Sequence, residues 1–183
     1  DQKMTIHVMP AKRRGRPDFV GTGGEIHSRV REEMRVVLAT DRSPRYLDNA
    51  ASEMLGAAKR VGTTHNLGCR RLIRMSDERT RWLTWTGTRA QKALLAALEI
   101  GGIEAGDCEV AIECKASMDE VLRLMPHIKQ ALKESDKLAE TVRPKQYRKY
   151  DYLLSPSLLD EAIAADRLDP DEALLVVAVT ELT

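Results

Sequence analysis

Aromatic side chains are scarce in this chain, at 4% with a single phenylalanine. Its core must therefore rest on Leu, Ile, Val, Met and Ala. Cysteine is scarce too. Cys69, Cys108 and Cys114 form an odd set with no C-x-x-C spacing, which argues against a disulfide framework and for small apolar residues in a reducing compartment. No apolar run approaches the roughly 20 residues that span a bilayer. The start shows no charged segment leading into an apolar one, so a secretory signal is not expected and the cytoplasm is the expected compartment. His7, His27, His65 and His127 lie far apart without H-x3-H spacing, which argues against zinc. Neither G-x-S-x-G nor a legible Cys/His nucleophile pair is present.

A nucleotide loop is missing as well, although one stretch imitates it. "AKRRGRPDFVGTGGEIHSRV", residues 11–30, sets four cations and then glycines before a helix. Backbone N–H groups at such a turn suit a phosphate. The Walker loop, however, needs G-x-x-x-x-G-K-[ST], and here Gly24 is followed by Glu25 and Ile26. No lysine reaches the terminal phosphates, and Glu25 opposes them. What remains is a basic arm of Lys12, Arg13, Arg14 and Arg16, suited to sequence-independent contact with a nucleic-acid backbone.

What is abundant is ordinary globular material: 183 residues, 43% apolar and 31% charged. That is enough for one sizeable core, or one domain plus a small C-terminal appendage. The net charge of +1 conceals an uneven distribution. Residues 59–92 hold nine basic residues against only Asp77 and Glu78, whereas residues 93–183 hold 18 acidic residues against 10 basic. Such a concentration suits a face presented to a polyanion.

Periodicity predicts an α+β domain with a small mixed sheet. Met4, Ile6 and Val8 alternate in a first strand near 3–9, which opens the chain as expected of a piece cut from a longer polypeptide. Ile26, Val30, Met34, Val37 and Leu38 recur at helical spacing over 25–39. Ser43 and Pro44 signal the start of a second helix, over 44–61. Two apolar-rich runs, 69–75 and 80–86, flank the polar turn from Ser76 to Arg79 as a hairpin. A helix over 88–100 closes on Gly101 and Gly102. "CEVAIECK" predicts one further strand, 108–115, and Ser117 caps a helix over 118–133 with Asp119 and Glu120 in its first turn. Ser155–Pro156 and Asp169–Pro170 open two more helices. The expected division is an α+β domain over 1–142 and a helical C-terminal extension over 143–183, packed on it.

Two places carry candidate chemistry. In "RWLTWTGTRAQK" a strand hands over to a helix, placing Thr86 and Thr88 hydroxyls, Arg89 and Lys92 around a positive helix end. Together with Arg71 in the hairpin, these residues are the expected holders of nucleic-acid phosphate, with Trp82 or Trp85 available to stack on a base. "AGDCEVAIECKA" offers Glu113-x-Lys115 with Asp107 or Glu109 upstream. This is a D/E-x-K pattern in which carboxylates hold Mg2+ and the lysine assists attack on phosphate. A strand with outward charges produces the same pattern without catalysis.

The order "VMPAKRRGRPDFVGTGGEIHSRVREEM", "YLDNAASEMLGAAKR", "WLTWTGTRAQKALLAALEIGG" and "KYDYLLSPSLLDEAIAADRLD" resembles the C-terminal, DEAD/H-associated region of Lhr-type superfamily 2 DEAD/DEAH-box helicases, over roughly residues 4–170. The resemblance implies an accessory domain that guides single-stranded or tailed DNA beside a motor and a winged helix, in settings such as DNA repair. It implies no catalytic residue and no cofactor in this chain, because no Walker A, D-E-x-H or arginine-finger motif is present. ATP and Mg2+ would bind the absent motor domains. The expected partners are DNA, mostly unpaired, and the motor and winged-helix domains, with no membrane. The alternatives are a Mg2+-dependent nuclease built on Glu113 and Lys115, and a protein-docking module without nucleic-acid affinity.

Overall fold

Short polar residues set most helix starts. Ser117 accepts the Glu120 N–H at 3.2 Å, Ser155 the Leu158 N–H at 3.4 Å, and Asp169 the Glu172 N–H at 3.1 Å. Each satisfies a donor that the first helical turn leaves open. A computed structural model describes residues 24–181. The first strand, near 3–9, and the basic arm of Lys12, Arg13, Arg14 and Arg16 lie outside the described residues.

In chain order the elements are α1 (Ser28–Ala39), α2 (Asn49–Thr64), β1 (Arg71–Ser76), β2 (Arg79–Leu83), α3 (Thr88–Ile100), β3 (Ala105–Cys108), β4 (Ala111–Cys114), α4 (Met118–Ala131), α5 (Ser135–Thr141), a 3-10 turn (Asp151–Leu153), α6 (Pro156–Arg167) and α7 (Pro170–Glu181). The class is α+β. The described strands form one sheet in the order β1-β2-β4-β3, antiparallel at every pairing rather than mixed.

Beyond a later start of α1, at Ser28, and the additional helix α5, three boundaries differ from the sequence expectation. The second helix starts at Asn49, where Asp48 accepts the Ala51 N–H at 2.8 Å, and not at Ser43–Pro44. The strand expected over 80–86 ends at Leu83. Both Thr84 and Trp85 then donate to the Val110 carbonyl, and Trp85 takes φ +48°, which turns the chain towards α3. The single strand expected over 108–115 is a hairpin of β3 and β4. Glu109 sits at its tip with φ +58°, and the Asp107 carboxylate accepts the Glu109 N–H at 2.8 Å.

One face of the sheet carries the main core, and a smaller cluster of Leu83, Trp85 and Ala111, with Leu38 and Leu67 against it, lies on the other. Trp82, Ile112 and Cys114, with partly buried Leu72, meet α3, α4, α5 and the last two helices in a single apolar cluster. α3 supplies its alanine- and leucine-rich face, and Leu94 and Leu98 are fully buried, contributing about 1.5–3 kcal/mol each. α7 and α6 add Ala173, Val176, Val177 and Ile163 to the same cluster, so residues beyond 143 share this core. Cys69, Cys108 and Cys114 are free thiols, and burial pushes Cys114 up to about 12.

The α1–α2 hairpin is built differently. Its only buried residues are Arg31 and Gly62. It is held to the body largely by polar pins, including Arg35 on the Gly68 carbonyl at 2.9 Å and Arg70 on Glu32 at 3.0 Å.

Candidate nucleic-acid interface

The corner from Thr86 to Lys92 is polar and cationic, as its sequence implies, and it is engaged by the chain itself. Thr86 is fully buried and donates to Glu172 at 2.5 Å. Ser28 donates to the other oxygen of the same carboxylate and accepts the Gly87 N–H at 3.0 Å. Thr88 accepts the Ile26 N–H at 2.9 Å, and its own N–H donates to the Ile26 carbonyl. The Arg89 guanidinium donates to the Ala165 and Leu168 carbonyls, at 2.6 and 3.0 Å.

Lys92 and Arg167 both bond Glu25, at 3.3 and 2.9 Å. They also flank the Tyr147 ring, with centres 5.5 and 4.5 Å from its centroid. In this arrangement Thr86, Thr88, Arg89 and Lys92 clamp α1, α6 and α7 onto the α3 N-terminus. Both tryptophans are buried as well. Trp82 Nε1 donates to Thr180 at 2.9 Å and its ring is fully buried, whereas Trp85, whose Nε1 donates to the Leu67 carbonyl at 2.8 Å, keeps a small exposed edge that lines a groove on the sheet.

Glu25 gives the clamp a pH dependence. Burial pushes its carboxyl up, but the hydrogen bonds and charges of Arg167 and Lys92 outweigh burial and leave it below its ordinary value of 4.5. A carboxyl lowered by folding stabilises above its unfolded pKa, and that contribution is lost as pH falls through the folded value. Glu25→Gln is therefore expected to be less stable than wild type at pH 7, with the gap closing below about pH 4.5. Denaturant unfolding at several pH values measures this, and a constant gap down to pH 3 would contradict the assignment.

The available basic surface lies on the other face of the sheet. Strand alternation puts Arg71, Ile73, Arg79, Arg81 and Leu83 on that face, and the register sets Ile73 against Arg81 and Arg71 against Leu83. From β4, Ala111 pairs with Leu83 and Glu113 with Arg81. Arg71 and Arg81 are thus diagonal neighbours about 7–8 Å apart at the backbone. They border a groove of about 590 Å³ floored by Ile73, Leu83 and Ala111 and closed on one side by Leu38 and His65.

Arg71 uses one terminal nitrogen on the His65 carbonyl at 2.6 Å. Arg81 and Arg79 share Glu113, at 3.1 and 3.4 Å. The Nε donors of both Arg71 and Arg81 are shielded from water and have no hydrogen-bond partner. Arg31 Nε and Arg89 Nε, elsewhere in the fold, are in the same state, so it is the convergence of Arg71 and Arg81 on one groove that marks this face. Of the expected site residues, Arg71 is the one placed here. Arg79 and Arg81 were legible only as part of the basic run, because their convergence with Arg71 depends on cross-strand register.

The D/E-x-K residues take separate partners. Glu113 is held by Arg79 and Arg81, whereas Lys115 pairs with Glu104. Asp107 pairs in register with Ile112, on the opposite face from Glu113, and accepts from Gln91 at 2.9 Å. Among the described residues no three His, Cys, Asp or Glu side chains gather as metal ligands. No helix among them is long and apolar enough to cross a membrane.

Fold and groove together define a small α+β domain with an arginine-lined sheet face. No family model, no curated protein and no solved structure matches the chain.

Proposed function

We propose that this chain is a noncatalytic accessory domain of an ATP-dependent DNA helicase, and that it binds unpaired DNA on its open sheet face while a motor carried elsewhere does the work. The observation that supports this is the placement of Arg71 and Arg81 by cross-strand register at the edge of one apolar-floored groove, on the sheet face turned away from the main core. Arginine suits phosphate because its planar fork donates at fixed angles and always carries charge. The aliphatic floor accepts the face of a base without reading its edges, so the contact is independent of sequence. The resemblance of the chain to the Lhr-type C-terminal region points in the same direction. It implies a motor and a winged helix as neighbours, with ATP and Mg2+ bound there, and a setting in DNA repair or mobile-element defence; the expected compartment is the cytoplasm.

The test is a titration of fluorescently labelled single-stranded DNA against the full chain over a range of salt. Binding is expected to weaken with salt, and Arg71→Ala plus Arg81→Ala is expected to lower affinity at least about tenfold. If both arginines meet phosphate, their loss reduces the salt slope by about 1.4, given roughly 0.7 per phosphate on a single strand. Absence of binding at low salt, or an unchanged affinity in the double variant, would overturn the proposal. Glu113→Gln separates it from the nuclease alternative. Release of Arg79 and Arg81 from their carboxylate is expected to strengthen binding several-fold, whereas a metal-dependent nuclease would lose its cleavage.

A further inference from the structure

The α1–α2 hairpin is amphipathic in the wrong sense for an isolated surface element. α1 buries Arg31 and leaves Val30 and Met34 outside, at 53% and 46% exposure, while Tyr46 in the following loop is 87% exposed. A surface helix ordinarily turns its apolar stripe inward. Here Val30, Met34 and Val37 join Pro44 and Tyr46 in a groove of about 830 Å³ that faces away from the sheet core. From these observations we propose that this groove is a docking site for a short acidic amphipathic helix of a protein partner. The inference goes beyond the nucleic-acid reading and does not depend on it.

Charge and shape select that occupant. α1, which forms one wall of the groove, has 12 residues and is about 18 Å long, enough to lie against a helix of about three turns. Such a helix seats apolar side chains at i, i+3, i+4 and i+7 along an apolar floor. The rim is cationic. Arg29 lines the groove and Arg45 lies in the chain between two lining residues, Pro44 and Tyr46; both are exposed and have no ion-pair partner among the described residues. The lining acid, Glu33, is already neutralised by Arg42 at 2.8 Å. A partner helix with acids flanking its leucines meets both cations, and a basic one meets two repulsions. Of the two arginines in the lining, Arg42 is already held by Glu33, so the groove offers no row of uncompensated cations to a nucleic-acid backbone.

The probe is a labelled synthetic peptide of about 16 residues, leucine at helical spacing and glutamate elsewhere, titrated into the full chain. A second peptide replaces each glutamate by lysine. The acidic peptide is expected to bind at least about tenfold tighter than the basic one. Met34→Glu, at an exposed position that leaves the fold intact, is expected to weaken the acidic peptide about tenfold, and Arg29→Glu plus Arg45→Glu to reverse the preference between peptides. Arg71→Ala plus Arg81→Ala is expected to leave peptide binding unchanged, which keeps this result separate from the DNA titration. No binding, equal binding of the two peptides, insensitivity to Met34→Glu, or loss of binding in the sheet-face variant would each overturn the proposal.

Discussion

Trp82→Ala is expected to cost about 3–5 kcal/mol and to loosen the C-terminal helix from the sheet. Trp82 is fully buried at the centre of β2, with Leu72 opposite on β1 and Ile112 opposite on β4. The indole fills the space between the sheet and the helices, and alanine leaves a cavity there. It also serves as a fastening, because Nε1 donates to the Thr180 hydroxyl at 2.9 Å, and that hydroxyl donates onward to the Val176 carbonyl at 2.8 Å. Trp82→Phe retains most of the apolar volume and loses the hydrogen bond, so about 1–2 kcal/mol is expected for it. Both follow from urea unfolding read by the fluorescence of the remaining Trp85. A domain of this size has about 5–15 kcal/mol in total, so the alanine variant should melt far earlier than wild type. A loss below about 1.5 kcal/mol for alanine would mean that α7 does not rest on this residue.

Helices α3, α4, α6 and α7 were legible because their signals are local, whereas α5 was not expected, and its N-cap residue Glu134 makes no side-chain capping bond. Ser117, Ser155 and Asp169 cap where the residue pattern places them, and α3 combines a long apolar face with glycines at its end. The β3–β4 hairpin was not legible. Gly106 and Asp107 have poor strand propensity, and its tip is Glu109 in a left-handed conformation that residue type does not announce. The start of α2 was misplaced for a related reason. Ser43–Pro44 and Asp48 are both competent starts, and tertiary context decides between them.

The site divides along the same line. Hydroxyls and cations from Thr86 to Lys92 do gather at the α3 N-terminus, but a sequence does not reveal whether the anion they meet is a phosphate or a carboxylate. The chain supplies its own carboxylates, Glu25 and Glu172, from positions 67 and 86 residues away. The sheet-face groove is invisible to periodicity for the opposite reason. Arg71 and Arg81 become neighbours only through the pairing of β1 with β2, and the wall of Leu38 and His65 arrives from α1 and the end of α2.

That dependence on distant polar pins makes Gly87 the position where the least added volume does the most damage to α1. Gly87 precedes α3, and a Cβ placed on it would lie 2.5 Å from Ser28 Oγ, 2.6 Å from Ser28 N and 2.8 Å from the Ile26 carbonyl oxygen. Two of those three atoms are backbone, so rotation of a side chain does not relieve the contact. The α1 entry must move away, and in moving it breaks a connected set of bonds. These are Gly87 N–H to Ser28 Oγ, Ser28 to Glu172, and the paired contacts between Ile26 and Thr88. Overpacking costs about 1–3 kcal/mol where the chain does not give way, and where the α1 entry moves to relieve it the hydrogen bonds are weakened instead, at up to about 1 kcal/mol each. Gly87→Ala is therefore expected to lose about 2–4 kcal/mol, concentrated in α1. Amide hydrogen exchange resolves this. Protection is expected to fall across α1 and at the α3 N-terminus, while the core amides of α4 keep theirs relative to the new global stability. Ser28→Ala removes the hydroxyl and its two hydrogen bonds without adding volume and is expected to cost about 1–2 kcal/mol, less than Gly87→Ala. If Ser28→Ala proved as damaging as Gly87→Ala, the hydrogen bonds would account for the effect, and the close approach of the two backbones would not.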